Sequence, residues 1–378
     1  MPHAKVKQSL TAGGLLVALG IIYGDIGTSP LYVFKAIISQ GTLNNSLIYG
    51  GLSCIFWTLT LQTTLKYVVV TLRADNKGEG GILSLYSLVR KQGKWVVFPA
   101  ILGGAALLAD GMITPAITIS SAVEGLDIFY PGLQTMPIVL AIVLCLFMLQ
   151  RFGTAVIGRI FGPVMLLWFS MMAVIGLSQL WQAPEIVRAI NPWYAIQLII
   201  EHPNALFIIG AVFLCTTGAE ALYSDMGHCG RRNIRVSWIF VKACLLLNYF
   251  GQGAWLLNQD TVVSGNPFYR IMPAWFLPFG ISIATAAAII ASQAMITGAF
   301  TLVSEAVRLN VWPKVRIVHP NLLKGQLYVP SANWILLIGC IGVILIFGES
   351  ARMEAAYGLA INLSFVVTTV LMTVFLLH

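Results

Sequence analysis

The sequence predicts an all-α polytopic membrane protein of two five-span halves, with the first and sixth spans interrupted near their centres. Three observations carry this prediction. The 378 residues are 58% hydrophobic and only 10% charged, with a mean hydropathy of +0.85, a composition outside the range of soluble domains. Apolar segments recur at about 12–39, 47–72, 95–123, 134–150, 156–181, 203–225, 236–258, 276–307, 333–348 and 354–377, most of them near the roughly 20 residues that cross a bilayer. Two of them, five spans apart, carry a carboxylate beside glycine at mid-segment. Such paired interruptions are the sequence pointer to a transporter's midplane site.

The organising stretch is Gly20-Ile-Ile-Tyr-Gly-Asp-Ile-Gly-Thr-Ser-Pro30. A charge at mid-membrane costs about 2.5–3.5 kcal/mol on insertion scales. Asp25 nevertheless stands there between Gly24 and Gly27, followed by Thr28, Ser29 and Pro30. Glycine weakens the helix, and proline removes a donor and disfavours helix for its predecessor. Free backbone groups survive at membrane depth only where they line an enclosed cavity. The expected result is a cation site of exposed carbonyls, hydroxyls and a carboxylate; the alternative is a proline kink whose Asp is held by a partner helix.

Charge sets the topology. The net charge of +8 comes from basic residues dispersed in short loops, with no zinc-finger or aromatic-and-basic motif, so nucleic acid is set aside. An inside N-terminus places 18 of the 22 Lys and Arg on the cytoplasmic side and leaves Lys35, Arg188, Arg270 and Arg352 outside. That bias predicts a multi-pass cell-membrane protein with both termini of this chain cytoplasmic. The first segment reads as retained, since no cleavage site follows a short apolar core. The six cysteines are scattered without a CxxC and read as buried small hydrophobes.

Loop 73–94 combines glycine and charge with a short amphipathic run. It lacks the strand and Lys-Ser/Thr of a phosphate loop and reads as tight packing between the second and third spans. In the third span Asp110, Thr114 and Thr118 are spaced i, i+4, i+8, an oxygen-bearing stripe, and Pro115 frees the carbonyl of Gly111. The other reading has the threonines bonded back to their own helix. Glu124 and Asp127 at the outer end are expected to be solvated. The stretch 181–202 reads as an external loop with aromatic anchors, dividing 1–180 from 203–378. In the sixth span Thr217 and Gly218 precede Glu220; Asp225 and His228, nearer the cytoplasm, read as an inner gate or as a plain loop cluster. Tyr357 beside Gly358 in the tenth span offers a phenol oxygen to a central cavity or serves in packing. The Asn44-Asn45-Ser46 sequon is too short to establish glycosylation.

Several of these motifs resemble one family. Gly20-Ile-Ile-Tyr-Gly-Asp-Ile-Gly-Thr-Ser-Pro-Leu-Tyr32 resembles the opening signature of the Kup/HAK/KT potassium uptake transporters. So do Arg73-Ala-Asp-Asn-Lys-Gly-Glu-Gly-Gly81, Thr217-Gly-Ala-Glu-Ala-Leu-Tyr-Ser-Asp-Met-Gly-His228, Asn248-Tyr-Phe-Gly-Gln-Gly253, Ala291-Ser-Gln-Ala-Met-Ile-Thr-Gly298 and Ala355-Ala-Tyr-Gly-Leu-Ala360, in order along nearly the whole chain. The resemblance implies the LeuT-like amino acid–polyamine–organocation fold of inverted five-span repeats, H⁺-driven K⁺ symport, and no cofactor beyond the two transported ions. Carried over by motif, it implies K⁺ binding by Asp25, Tyr32, Asp110, Thr114, Thr118, Thr217, Glu220 and Tyr357. It also allows a homodimer. Family members continue into further spans and a cytoplasmic C-terminal domain, so this chain, ending with its tenth span, is expected to be a truncated or shortened form.

A mechanism follows from the charges. K⁺ exchanges its hydration shell for oxygen ligands. Three carboxylates around one monovalent ion leave surplus negative charge in a low dielectric, and desolvation with like-charge repulsion favours a proton on one of them. Asp25 is expected as the main K⁺ ligand and Glu220 or Asp110 as the proton carrier. An amino-acid symporter of the same fold is the alternative, but mid-membrane carboxylates would repel its substrate's carboxylate. A channel-like uniporter lacks a Thr-Val-Gly-Tyr-Gly filter. No His-Glu-x-x-His or Gly-x-Ser-x-Gly motif suggests an enzyme.

Overall fold

The computed structural model describes residues 10–41, 43–76, 78–152, 158–259, 265–319 and 327–377. Of the positively charged residues used for topology, Lys5, Lys7, Lys77 and Lys324 lie outside these residues, as does the side chain of Arg159; the side chain of His228, named for the inner-gate reading, also lies outside them. Among the described residues the chain is helical throughout, apart from two isolated bridges, Asn76 with Glu79 and Val318 with Tyr328.

Each apolar segment of the sequence becomes a helix. Among the described residues eight helices are long and apolar enough to cross a membrane: Asn45–Arg73, Lys94–Ile128, Ile160–Leu180, Ala205–Ser224, Arg231–Leu257, Leu277–Arg308, Pro330–Phe347 and Ser350–Leu377. Ala12–Ile21 and Gly24–Leu31 together form a further apolar pair, bent by 67° at the break between them. The fourth segment is a helix of only 14 residues, Met136–Leu149. Large apolar side chains such as Val174, Ile239, Ile346 and Val366 are exposed on the outer surface of the bundle. Such apolar exposure suits helices that cross a bilayer, where it costs nothing.

The first span is enclosed by the rest: every residue from Ile22 to Phe34 is buried. Its N-terminal half packs along the fifth span and its Gly24–Thr28 turn on the eighth. The third span is the other axis of the bundle, with the eighth and tenth laid against it. The seventh lies along the fifth, and there two glycines meet: a Cβ on Gly251 would stand 2.4 Å from Gly176 Cα, so no larger residue permits that contact.

Three features depart from the expectations. The second span winds as a π-helix over Leu59–Val70, and its threonines follow the wider turn: Thr64 Oγ1 donates to Leu59 O and Thr71 Oγ1 to Lys66 O, each five residues back. The stretch 181–202 is not irregular. It forms a 3₁₀ turn, Pro184–Ile190, and a helix, Pro192–Glu201, whose first turn is capped by Asn191 Oδ1 accepting from Trp193 N–H. Asn44 of the sequon caps the second span in the same way, accepting from Leu47 N–H at 2.7 Å. Five of the cysteines are buried as small hydrophobes and Cys145 is exposed.

Candidate ion-binding site

The two breaks meet. Helix geometry fails at Ile22–Tyr23 in the first span and at Thr217–Gly218 in the sixth, where Thr217 is extended and Gly218 is left-handed at φ 76°. Gly218 lies directly against Asp25: a Cβ there would fall 2.9 Å from Ile26 N and 3.0 Å from Asp25 Cβ. Only glycine takes this backbone conformation without strain and leaves room for the opposing turn.

Around this junction Asp25 and Asp110 are joined by a chain of hydroxyls. Thr114 Oγ1 donates to Asp110 Oδ1 at 2.5 Å, Thr114 Oγ1 and Tyr357 O–H lie 2.7 Å apart, and Tyr357 O–H reaches both oxygens of Asp25 at 3.2 Å. A second set joins the breaks themselves. Ser29 Oγ is 2.8 Å and Tyr32 O–H 3.4 Å from Thr217 Oγ1, and the Tyr32 ring meets that of Tyr357 edge-on. Thr118, one turn beyond Thr114, is buried with no hydrogen-bond partner on its hydroxyl, so it does not bond back to its own helix. Asp25, Tyr32, Asp110, Thr114, Thr217 and Tyr357 thus form one connected, buried group from four spans.

Glu220 stands apart from that group. It projects towards the second and tenth spans, where Oε1 accepts from Tyr67 O–H and from Thr368 Oγ1, the latter at 2.7 Å; Oε2 is buried without a partner. Lys66, next along the π-helix, donates to Phe365 O at 3.0 Å with its ammonium 4.9 Å from the centre of the Tyr67 ring. The structure therefore holds two separate acidic centres rather than three carboxylates around one point.

The backbone of the first break is less exposed than the sequence suggests. Gly27 O accepts from Trp168 Nε1 at 2.9 Å, Pro30 O from Gln252 Nε2 at 3.1 Å and Leu31 O from Asn266 Nδ2 at 2.5 Å. Asp25 O accepts from Thr28 Oγ1 at 2.9 Å. Side chains from elsewhere satisfy these freed carbonyls, as burial demands.

The two ends of the site differ. A cavity runs from Asp25 between the first, sixth and eighth spans to loop 80–82, lined by Ile22, Gly81, Asp225, Met295 and Glu305. Loop 73–94 is docked there by Tyr223 O–H donating to Ala74 O at 2.6 Å. At the opposite end Glu124 is not simply solvated: Lys35 Nζ lies 2.7 Å from its Oε2, while Asp127 accepts from Gly132 N–H in the loop beyond.

The comparisons with known proteins agree with this architecture. Residues 12–378 match the family model described as the K⁺ potassium transporter integral membrane domain. The chain belongs to this family. It is 62% identical over 376 residues to a probable potassium transport system protein Kup of Cytophaga hutchinsonii, which covers 98% of this chain and 57% of that protein. Relatives with the same designation in Flavobacterium psychrophilum and Enterococcus faecalis are 58% and 50% identical, over 99% and 98% of this chain and 59% and 58% of theirs. The chain thus spans somewhat under three-fifths of the length of these curated relatives. The Kup resemblance drawn from the motifs is borne out.

Reading the sequence missed Ser29 as a bridge between the breaks, and Tyr67 and Thr368 as partners of Glu220. Ser29 lay in the quoted signature. Tyr67 and Thr368 bond to Glu220 across 153 and 148 residues of chain, a pairing that no local pattern encodes.

Proposed function

We propose that this chain takes up K⁺ by proton-coupled symport, binding the ion at mid-membrane and exposing it alternately to the two faces. One observation supports this reading above others: the hydroxyl chain from Asp110 through Thr114 and Tyr357 to Asp25 has three links and only two hydroxyl hydrogens. A proton on Asp110 supplies the third hydrogen and leaves Asp25 charged to receive a monovalent cation. The site thus suits a proton and K⁺ held together, as symport requires. K⁺ would take ligands from Asp25, Tyr32, Thr114, Thr118, Thr217 and Tyr357, with Asp110 at its edge.

Glu220, hydrogen-bonded to Tyr67 and Thr368 on the second and tenth spans and apart from the K⁺ ligands, carries this proton to and from Asp110 in this account. The two halves, 1–180 and 203–378, act as inverted repeats; the meeting of the first and sixth breaks and the packing of the third span on the eighth support a two-fold relation between them. The basic loops lie in the cytoplasm, so the cavity from Asp25 opens inward. The carboxylates Asp25 and Asp110 in the site argue against an amino-acid substrate, whose own carboxylate they would repel.

The test is transport by the chain reconstituted in liposomes. An inward K⁺ gradient should acidify the interior, and Asp25→Asn should abolish both K⁺ entry and acidification. K⁺ entry without acidification would replace symport by uniport, and undiminished uptake by the Asn variant would remove Asp25 from the site.

A further inference from the structure

At the end of the bundle opposite the cavity, Lys35, Glu124 and Ser350 form a polar knot. Lys35, on the last helical segment of the first span, Val33–Ile38, donates to Glu124 Oε2 at 2.7 Å and to Ser350 Oγ at 3.4 Å. Ser350 N–H donates in turn to Glu124 Oε1 at 3.3 Å. One ammonium therefore ties the first span to the end of the third and the start of the tenth, the spans that carry Asp25, Asp110 and Tyr357. Glu354, one turn into the tenth span, is 6% exposed, has a carboxylate oxygen without a hydrogen-bond partner, and lies within electrostatic reach of both Lys35 and Glu124. Lys35 and Glu124 retain 26% and 20% side-chain exposure, so the pair sits at the rim rather than in the core.

We infer that Lys35 is the gate residue of the outer entrance: its ammonium, held by Glu124 and flanked by the buried Glu354, keeps that end shut while the other end is open, and an entering cation must displace it. This rests on the alternating-access reading of the site. The chemistry is that of one cation replacing another. Glu124 and Glu354 offer two carboxylates for one positive charge, and the tethered ammonium occupies the place that K⁺ would pass. Glu354 offers the ammonium a second carboxylate within electrostatic reach on the tenth span, so leaving Glu124 does not strand a bare charge at the rim. At the other end Asp225 and Glu305 line the cavity that reaches Asp25.

Access to Ser121 tests the gate. Ser121 lies one turn before Glu124 on the third span, fully buried, with no partner on its hydroxyl and no place in the binding group. Ser121→Cys is introduced into the chain in a bacterial membrane, and its reaction with membrane-impermeant thiol reagents from outside is timed. Cationic and anionic reagents are both used, so that a change in local reagent concentration is recognised, and the chain without Ser121→Cys supplies the background from the native cysteines. Lys35→Gln and Glu124→Gln should each speed labelling about tenfold, through the population shift that follows loss of a partly buried charged contact, and Lys35→Arg should keep the parental rate. Unchanged rates in both Gln variants, each present in the membrane at the parental level, would overturn the proposal. So would an Arg variant as open as the Gln variant, because the charge would then not be the latch. Labelling does not depend on which ion is carried. The expected pattern in a chain that fails to take up K⁺ keeps the gate and discards the K⁺ reading.

Discussion

Tyr357→Phe isolates a single hydroxyl at the point where the two acidic residues are joined. The phenol lies 2.7 Å from Thr114 Oγ1 and 3.2 Å from both oxygens of Asp25, and the ring is fully buried against that of Tyr32. Phenylalanine keeps the ring and its packing, so the loss is confined to polar contacts. A hydrogen bond to a charged group contributes about 1.5–3 kcal/mol, which translates into a roughly 10- to 100-fold rise in the K⁺ concentration for half-maximal uptake. The assay is initial uptake into liposomes as a function of external K⁺, with the melting temperature of the purified variant measured alongside. A half-saturation constant within twofold of the parent, in a variant that melts normally, would refute the assignment of Tyr357 to the ion site and leave it a packing residue.

Two further substitutions probe the neighbouring features. Gly218→Ala forces a side chain into a left-handed position and against the Asp25 turn, and should destabilise the protein by at least about 1–2 kcal/mol, read as a lower melting temperature with weakened uptake. Glu220→Gln removes the carboxylate that accepts from Tyr67 and Thr368 while sparing the Asp25 group. K⁺ movement should then persist down its gradient without acidification of the liposome interior, whereas retained acidification would assign the proton to another group.

Much of the fold is legible in the sequence because a bilayer imposes a simple rule: each apolar stretch must satisfy its own backbone, and each became a helix. The interruptions were legible for the same reason. Gly24-Asp25 with Pro30, and Gly218 beside Glu220, violate that rule visibly, and the helices do break beside them. The helix Pro192–Glu201 was read as part of a loop, although Asn191-Pro192 is a cap followed by proline at the first helical position. The π-helix of the second span left no trace in hydropathy, since one extra residue per turn does not change composition. At the site, residue types and spacing within one span gave the Asp110–Thr114 contact. They did not reveal that Glu220 turns away to Tyr67 and Thr368, nor that Lys35 closes on Glu124 across 89 residues, because those contacts depend on how separate spans are placed side by side.

The central claim is that the Asp25 group binds K⁺ through side-chain oxygens, and thermal unfolding of the purified chain in K⁺ or Na⁺ tests it most directly. A ligand that binds only the folded state at about 100 times its dissociation constant adds about 2.7 kcal/mol of stability. The account predicts that K⁺ raises the melting temperature well above the level in equal Na⁺, and that Asp25→Asn abolishes the difference. Equal stabilisation by the two ions, or a K⁺-specific rise that survives in the Asn variant, would contradict it.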